Sequence, residues 1–472
     1  MRRSGFIITC LLAFGAGCAS APVRPASDAA FLDDVQQRTF AWFWDYSRPD
    51  NGIVRDRAPS ASFASIASVG FGLTAYPIGV ERGYITRAQA RQRTLATLRH
   101  FWTAPQGPEP TGDNIGYRGS YFHFLDWETG LRHQLTELSS IDTALLIAGV
   151  LFSREYFGQE HADEAEIRAL ADSIYLRVDW AYFQEPGPAL RMSWRPERGF
   201  GPAEWLGYNE GIILLVLALG SPTHPVGTEA WDAWAARYPG RWGEFYGYEH
   251  LMYAPLFVHQ YSHVWIDFRG IQDEFMRGRG IDYFENSRRA TLSQRAYGVD
   301  NPGGWRDYGA DIWGLTASSG PLADTIVIDG RARVFRRYWA RGAARGDIRD
   351  DGTIVPTAAG GSIPFAPDET IAALRAMRER YGELVFREYG FVDAFNPTLD
   401  VAGVTPARGR IVPGVGWFED DYLGIDQGPI IAMIENHRTG LVWEYMKRNS
   451  YLVRGLCRAG FTGGWLEGRC GE

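Results

Sequence analysis

The sequence predicts an all-α protein, a helical barrel whose chemistry sits on long loops gathered at one end. Three observations carry this reading. Segments with apolar residues every three or four positions recur along the chain. The connections between them are long, aromatic and rich in glycine. Strand-like runs are few and short, and no alternation of strand and helix is seen.

The periodic segments come in order at 31–46, 86–102, 139–157 and 164–178. The next, 209–219, is apolar on nearly every side, the pattern of a buried helix. Segment 367–381 has the clearest boundaries: Asp368 can cap it, Ile371, Leu374 and Met377 stripe one face, and Gly382 follows as a stop. Segment 429–448 closes the series. Between them run the loops 194–208, 241–253, 297–321 and 351–367. No exact internal repeat is visible, so the pairing of helices into hairpins is inferred.

At the N-terminus Arg2 and Arg3 precede an apolar run at 6–14 and a small-residue run at 15–21, the order of a secretory signal. The apolar run is about half the ~20 residues that a membrane-crossing helix needs. Two processing routes compete. Gly15-Ala16-Gly17-Cys18 resembles a lipoprotein box, and Ala19-Ser20-Ala21 resembles an ordinary cleavage site. Pro22 is a poor first residue for the second route, so acylation of Cys18 is preferred. The expected organisation is a signal and processing region at 1–21, a tether at 22–30, and one catalytic domain at 31–472 with a Gly-rich tail. The expected location is periplasmic, with membrane attachment only through Cys18. Cys457 and Cys470 lie in that tail, either as a disulfide or as free thiols.

Length alone would suggest three domains at about 150 residues each, yet no Ser/Pro/Gly linker or charge block divides the chain. A net charge of -8 with both signs interspersed offers no basic stripe for nucleic acid and disfavours a polyanionic substrate. The 17 Trp, 23 Tyr and 26 Phe are numerous, and many stand beside Gly, Asn or Asp instead of inside apolar runs. Rings in such settings suit the C–H faces of sugars, although any single ring can equally be core. A monomer acting on a neutral glycan, with no cofactor and no metal, is expected.

Several constellations carry the chemistry. Glu210 follows Trp205, Tyr208 and Asn209 and leads into the apolar segment ending at Leu219. Burial there would raise its pKa for general-acid work, whereas a helix N-terminus would lower it. The plain alternative is a first-turn Glu. Glu137 and Asp142 flank Ser139 and Ser140 at the start of another apolar helix, with simple capping as the alternative. His259 and His263 stand four residues apart, with Tyr261 between them and Trp265 just beyond. The glutamate that zinc proteases carry after the first histidine is missing, so hydrogen bonding to a sugar is preferred to metal ligation. Glu285, Asn286 and Arg288, then Asp307 and Trp313, then Trp417, and finally Asp426 and Gln427 place short polar groups beside rings and glycines. These complete the expected substrate contacts.

The ordered motifs at 139–146, 207–210 (Gly-Tyr-Asn-Glu), 219–225, 259–267, 283–291, 313–318, 356–359 and 425–429 (Ile-Asp-Gln-Gly-Pro) resemble those of glycoside hydrolase family 144. The resemblance extends over roughly 31–453. It implies a six-hairpin α/α toroid and metal-independent, inverting hydrolysis of β-1,2-glucan to sophorose and short oligosaccharides. By motif it makes Glu210 the acid and Asp142 its partner, with Glu137 in reserve. Endo and exo action share these motifs. The alternatives are a hydrolase of another neutral β-glucan, a polysaccharide lyase, which the acidic chain disfavours, and a non-catalytic glycan-binding lipoprotein.

Overall fold

The computed structural model describes residues 27–184 and 186–471. The expected export signal and Cys18 lie outside the described residues. Fifteen α-helices are found among them: α1 (Asp28–Asp45), α2 (Ile66–Glu81), α3 (Arg87–Thr103), α4 (Ser140–Tyr156), α5 (Ala162–Arg177), α6 (Ile212–Gly220), α7 (Glu229–Ala235), α8 (Tyr261–Trp265), α9 (Glu274–Arg279), α10 (Tyr283–Asp300), α11 (Pro356–Gly360), α12 (Pro367–Tyr381), α13 (Gly424–Arg438), α14 (Leu441–Met446) and α15 (Ser450–Arg458).

The most apolar helices form an inner ring. α2 packs on α4, α4 on α6, α6 on α8, and α11 on α13, which returns to α2. The gap between α8 and α11 is closed by Gln260, whose Nε2 donates to the carbonyl of Ala358 at 2.9 Å and to Ser362 Oγ at 2.8 Å. Around this ring, α1 lies against α13 and α2, α3 and α5 against each other and their inner neighbours, α12 against α11, and α15 against α6. The arrangement is a helical toroid. One continuous apolar cluster runs through it from Phe31 to Leu466. Each fully buried large aliphatic or aromatic side chain there stabilises by about 1.5–3 kcal/mol.

Helix α2 is absent from the sequence expectation because it is buried from Ile66 to Gly79 on every side. It therefore shows no amphipathic stripe, and Gly70, Gly72 and Pro77 read as breakers. Helix α1 begins at Asp28, ahead of the expected Phe31, because Ser27 caps it by accepting from the Ala30 N–H at 3.3 Å. The expected single helix at 429–448 is two: α13 starts earlier, at Gly424, and the chain turns at Gly440 with φ 70° before α14. Strands are short, from two to five residues, but more numerous than the sequence pattern suggests, since a two-residue strand shows no period. They form hairpins in the loops, the longest pairing Asp324–Ile328 with Arg331–Phe335. Cys457 and Cys470 are joined in a disulfide that ties the tail to α15.

Candidate active site

The starts of the inner helices share one rim, and the sequence supplies each start with a polar group. Ser139 caps α4, its Oγ accepting from the Asp142 N–H at 3.2 Å and donating to Asp142 Oδ2 at 2.5 Å. Glu210 stands in the turn just before α6. Asn209 Oδ1 accepts from the Gly211 N–H at 3.0 Å and braces the turn that carries Glu210, while α6 itself has no side-chain cap. Tyr261 opens α8, and Asp426 and Gln427 lie in the first turn of α13.

Two opposing influences were expected at Glu210, and burial prevails. Desolvation, reinforced by the negative charge of Asp142, pushes its carboxyl up to about 7. A second system on the rim joins His123 to two carboxyls. His123 Nδ1 lies 3.0 Å from Glu137 Oε1 and its Nε2 lies 3.4 Å from Asp142 Oδ2. Arg195 donates to the other Glu137 oxygen at 2.7 Å. The hydrogen bond from His123 pulls Glu137 down to about 2. Burial alone would lower the His123 pKa, but Asp142 and Glu137 outweigh it and the net shift is upward.

In a third group the sequence reading expected Asp426 and Gln427 but missed Asp56, Asp393, Glu419 and Asp421. Asp56, Asp393, Glu419, Asp421 and Asp426 converge on Arg57, which donates to Ser319 Oγ at 3.1 Å. Asp393 Oδ2 accepts from the Ser319 N–H at 2.9 Å and the Asp393 and Asp426 carboxyls are hydrogen-bonded neighbours, while Glu419 Oε2 and Gln427 Oε1 are buried with no protein partner. Burial and the neighbouring Asp393 and Asp421 push Glu419 up to about 7, and burial raises Asp426 well above its ordinary range. Glu419-Asp420-Asp421 directly after Trp417 and Phe418 was the available signal, and His123 within a run of aromatics was another.

Glu210, Asp142, Glu137, Tyr261, Asp426 and Gln427 are thus brought to one rim. Trp205 and Tyr208 support it from behind: Trp205 Nε1 donates to Ser140 Oγ at 2.8 Å, and the Tyr208 hydroxyl meets His259 Nδ1 at 3.0 Å. The other His259 nitrogen faces the Tyr253 carbonyl at 3.3 Å, so the His259 ring is engaged on both sides. His263 is buried against Ser287 Oγ at 3.0 Å, and burial lowers its pKa to about 3. Trp265, at the far end of α8, is core, bonded to Thr74 Oγ1 at 3.0 Å. Asn286 is spent on the Leu251 backbone, and Glu285 pairs with Arg289 and Arg288 on the surface. Asp307 is held by Arg380 and by the Tyr381 hydroxyl. Trp313 and Trp417 are fully buried, the latter donating to the Arg408 carbonyl at 2.6 Å. Glu285 and Arg288 are thus outer-surface residues, and the others pack the walls, their polar atoms satisfied by protein or enclosed by it.

Fold and rim together define the class, an α/α-toroid of the glycosidase kind with carboxyl groups held in contrasting environments. Residues 202–450 match the family model described as "Glycoamylase: Putative glucoamylase". A structure described as a "putative glucoamylase" from Bacteroides uniformis is 32% identical, with TM-score 0.78 over 94% of this chain and 100% of that one. The endo-β-1,2-glucanase of Chitinophaga pinensis, solved with sophorotriose and glucose, is 27% identical with TM-score 0.76 over 93% of this chain and 100% of that one. The exo β-1,2-glucooligosaccharide sophorohydrolase of Parabacteroides distasonis is 29% identical over 470 residues, 93% of this chain. The chain spans 58% of the length of that curated relative. The chain belongs to the glucoamylase-like family of glycoside hydrolases, family 144.

Proposed function

We propose that the protein hydrolyses β-1,2-glucan to sophorose or short β-1,2-gluco-oligosaccharides, with inversion at the anomeric carbon. One observation carries this reading: Glu210, raised to about 7, shares a rim with an Asp142–His123–Glu137 system whose Glu137 is lowered to about 2. One carboxyl is poised to give a proton at neutral pH, and the opposing Glu137 is kept ionised. Relatives named for β-1,2-glucan support the substrate. In this reading Glu210 protonates the departing glycosidic oxygen. Asp142, or Glu137 in its place, accepts a proton from water attacking the opposite face of the sugar. We further infer six helical hairpins, and export with acylation of Cys18, which intact-mass measurement of the mature protein would reveal as an added acyl chain.

A second reading of the base has its own support. Asp142 Oδ2 is already engaged by Ser139 and His123, whereas Asp393 and Asp426 set two buried carboxyls side by side. If the water is activated there, Asp393→Asn loses about 10²–10⁴-fold in kcat and Asp142→Asn loses much less. The first reading predicts the reverse.

The test of function is incubation with linear β-1,2-, β-1,3- and β-1,4-glucans in the presence of a chelator, with products sized over time. Reducing ends are expected from the β-1,2-glucan alone, and NMR of fresh product should show the α-anomer first. Release of one fixed product would mark exo action and a ladder would mark endo action. Turnover restricted to another linkage would refute the substrate assignment. Activity lost with chelator and restored by a divalent ion would refute metal independence.

A further inference from the structure

Beside the third carboxylate group lies a cavity of about 270 Å³ lined by Arg57, Ser319, Gly320, Arg337, Tyr338, Ala407 and Arg408. It shares a wall with the rim: Ser319 is bonded to Arg57 through Oγ and to Asp393 through its N–H. Its outer lip is the segment 336–338. That lip is not free to drift. Arg341, wholly buried, makes a two-pronged pair with buried Asp351 through Nε and Nη2 at 2.7 and 2.8 Å; Nη2 also donates to the carbonyls of Arg336 and Arg337 at 3.1 and 3.2 Å, and Nη1 donates to the Ser318 carbonyl at 3.0 Å. Asp351 Oδ2 in turn accepts from the Arg336 N–H at 3.0 Å. A buried bidentate pair whose other donors reach the carbonyls of 336–337 and of Ser318 fixes the lip against its neighbouring segment.

What the fixed lip presents is Tyr338, an aromatic side chain 58% exposed. Asp426, Asp393, Asp56 and Arg57 all lie within its electrostatic reach. Most exposed aromatics need no explanation, but this one stands on a pinned loop, over a cavity whose wall carries Arg57, Arg337, Arg408 and Ser319. The cavity is just below the ~300–1,000 Å³ that holds a drug-sized ligand, room for one sugar ring and not for an oligosaccharide. Its walls supply guanidinium and hydroxyl donors, and Tyr338 supplies a π-face, groups that meet the hydroxyls and the C–H face of a neutral pyranose.

We propose that this cavity is a binding site for a single glucosyl unit at one end of the cleft, with Tyr338 as its stacking platform and Arg341–Asp351 as the pair that positions it. The proposal rests on the glucan reading above. It makes Tyr338 a determinant of which chain lengths are accepted and which product is released.

The test uses the full chain and β-1,2-gluco-oligosaccharides of increasing length. Tyr338→Ala should raise KM for the shortest substrates by about tenfold, more than it lowers kcat, and should shift the product sizes. Tyr338→Trp, which keeps a ring, should recover most of that loss, which a merely structural role would not predict. Arg341→Lys keeps the charge but loses the fork, and should reproduce the Tyr338→Ala pattern in protein whose circular dichroism is unchanged. Calorimetric titration with glucose separates this proposal from the glucan reading. Weaker glucose binding by Tyr338→Ala in a protein inactive on β-1,2-glucan would keep the pocket and sink the substrate. Unchanged KM, product pattern and glucose affinity in Tyr338→Ala would overturn the pocket.

Discussion

At the scale of single residues, Glu210 is where helix position and burial compete. The start of α6 favours the ionised form, yet desolvation and Asp142 raise the carboxyl to about 7. Glu210→Gln keeps the shape but removes the proton, so kcat should fall by about 10²–10⁴-fold with KM little changed. The wild-type rate should decline as pH rises through about 7, since the acid form is lost there. The same shift has a cost in stability. The folded carboxyl holds its proton more tightly than the unfolded chain, so its stabilising contribution is complete below 4.5 and disappears as pH rises through about 7. Glu210→Gln should therefore raise Tm relative to wild type more at about pH 8 than at about pH 5. Equal differences at both would show that Glu210 is not desolvated. Glu137 behaves oppositely: lowered to about 2 by His123, it stabilises above 4.5 and is lost on acidification through about 2. The pattern Gly-Tyr-Asn-Glu made Glu210 legible in the sequence, whereas the pairing of His123 with Asp142 and the grouping of Asp393 and Glu419 around Arg57 were not, because their members lie far apart along the chain.

At the scale of elements, the inner ring depends on backbones that approach closely. A Cβ at Gly149 of α4 would collide with the carbonyl of Gly70 on α2, and one at Gly70 would collide with the Leu145 carbonyl on α4. The obstacle in each case is backbone, which cannot swing aside. Gly149→Ala should lose about 1–3 kcal/mol in denaturant titration despite a better helix propensity. Gly158→Ala, which would meet nothing nearer than 3.9 Å, serves as the neutral control. Losses that match between the two would contradict the close crossing. The cap of α4 links packing to chemistry. Ser139→Ala removes both the Asp142 N–H acceptor and the donor to its carboxylate, so it should cost about 1 kcal/mol and also lower kcat. A stability loss with unchanged kcat would separate Asp142 from the reaction.

At the scale of the whole molecule, the tail protects the ring. α15 lies on α6 where Gly455 and Gly220 allow backbone contact, and the Cys457–Cys470 disulfide, 13 residues apart, fastens the chain that follows. Closing a loop of that length stabilises by about 3 kcal/mol in the chain-entropy model. Cys457→Ser and Cys470→Ser should each lower stability by a similar amount, and the double variant no further, as measured by chemical denaturation. Because α6 follows directly on Glu210, inactivation on heating should follow the same order as unfolding. Additive losses in the double variant would show that each thiol acts by packing and not through the bond.

The sequence by itself determined the helical class, the apolar segments that became α4 and α6, the clear limits of α12, and the two local motifs that carry Glu210 and Asp142. These are legible because helix period, capping residues and breakers act over a few neighbours. Tertiary structure decided the rest. Helix α2 is apolar all round, so only its place in the ring reveals it. Of the polar and aromatic residues that looked alike in the sequence, Tyr261 and Asp426 reached the rim, while Trp265, His263 and Asn286 were taken into the core. The chemistry of a carboxyl or a ring depends on which distant groups desolvate, charge or bond it, and that is set when the ring of helices closes.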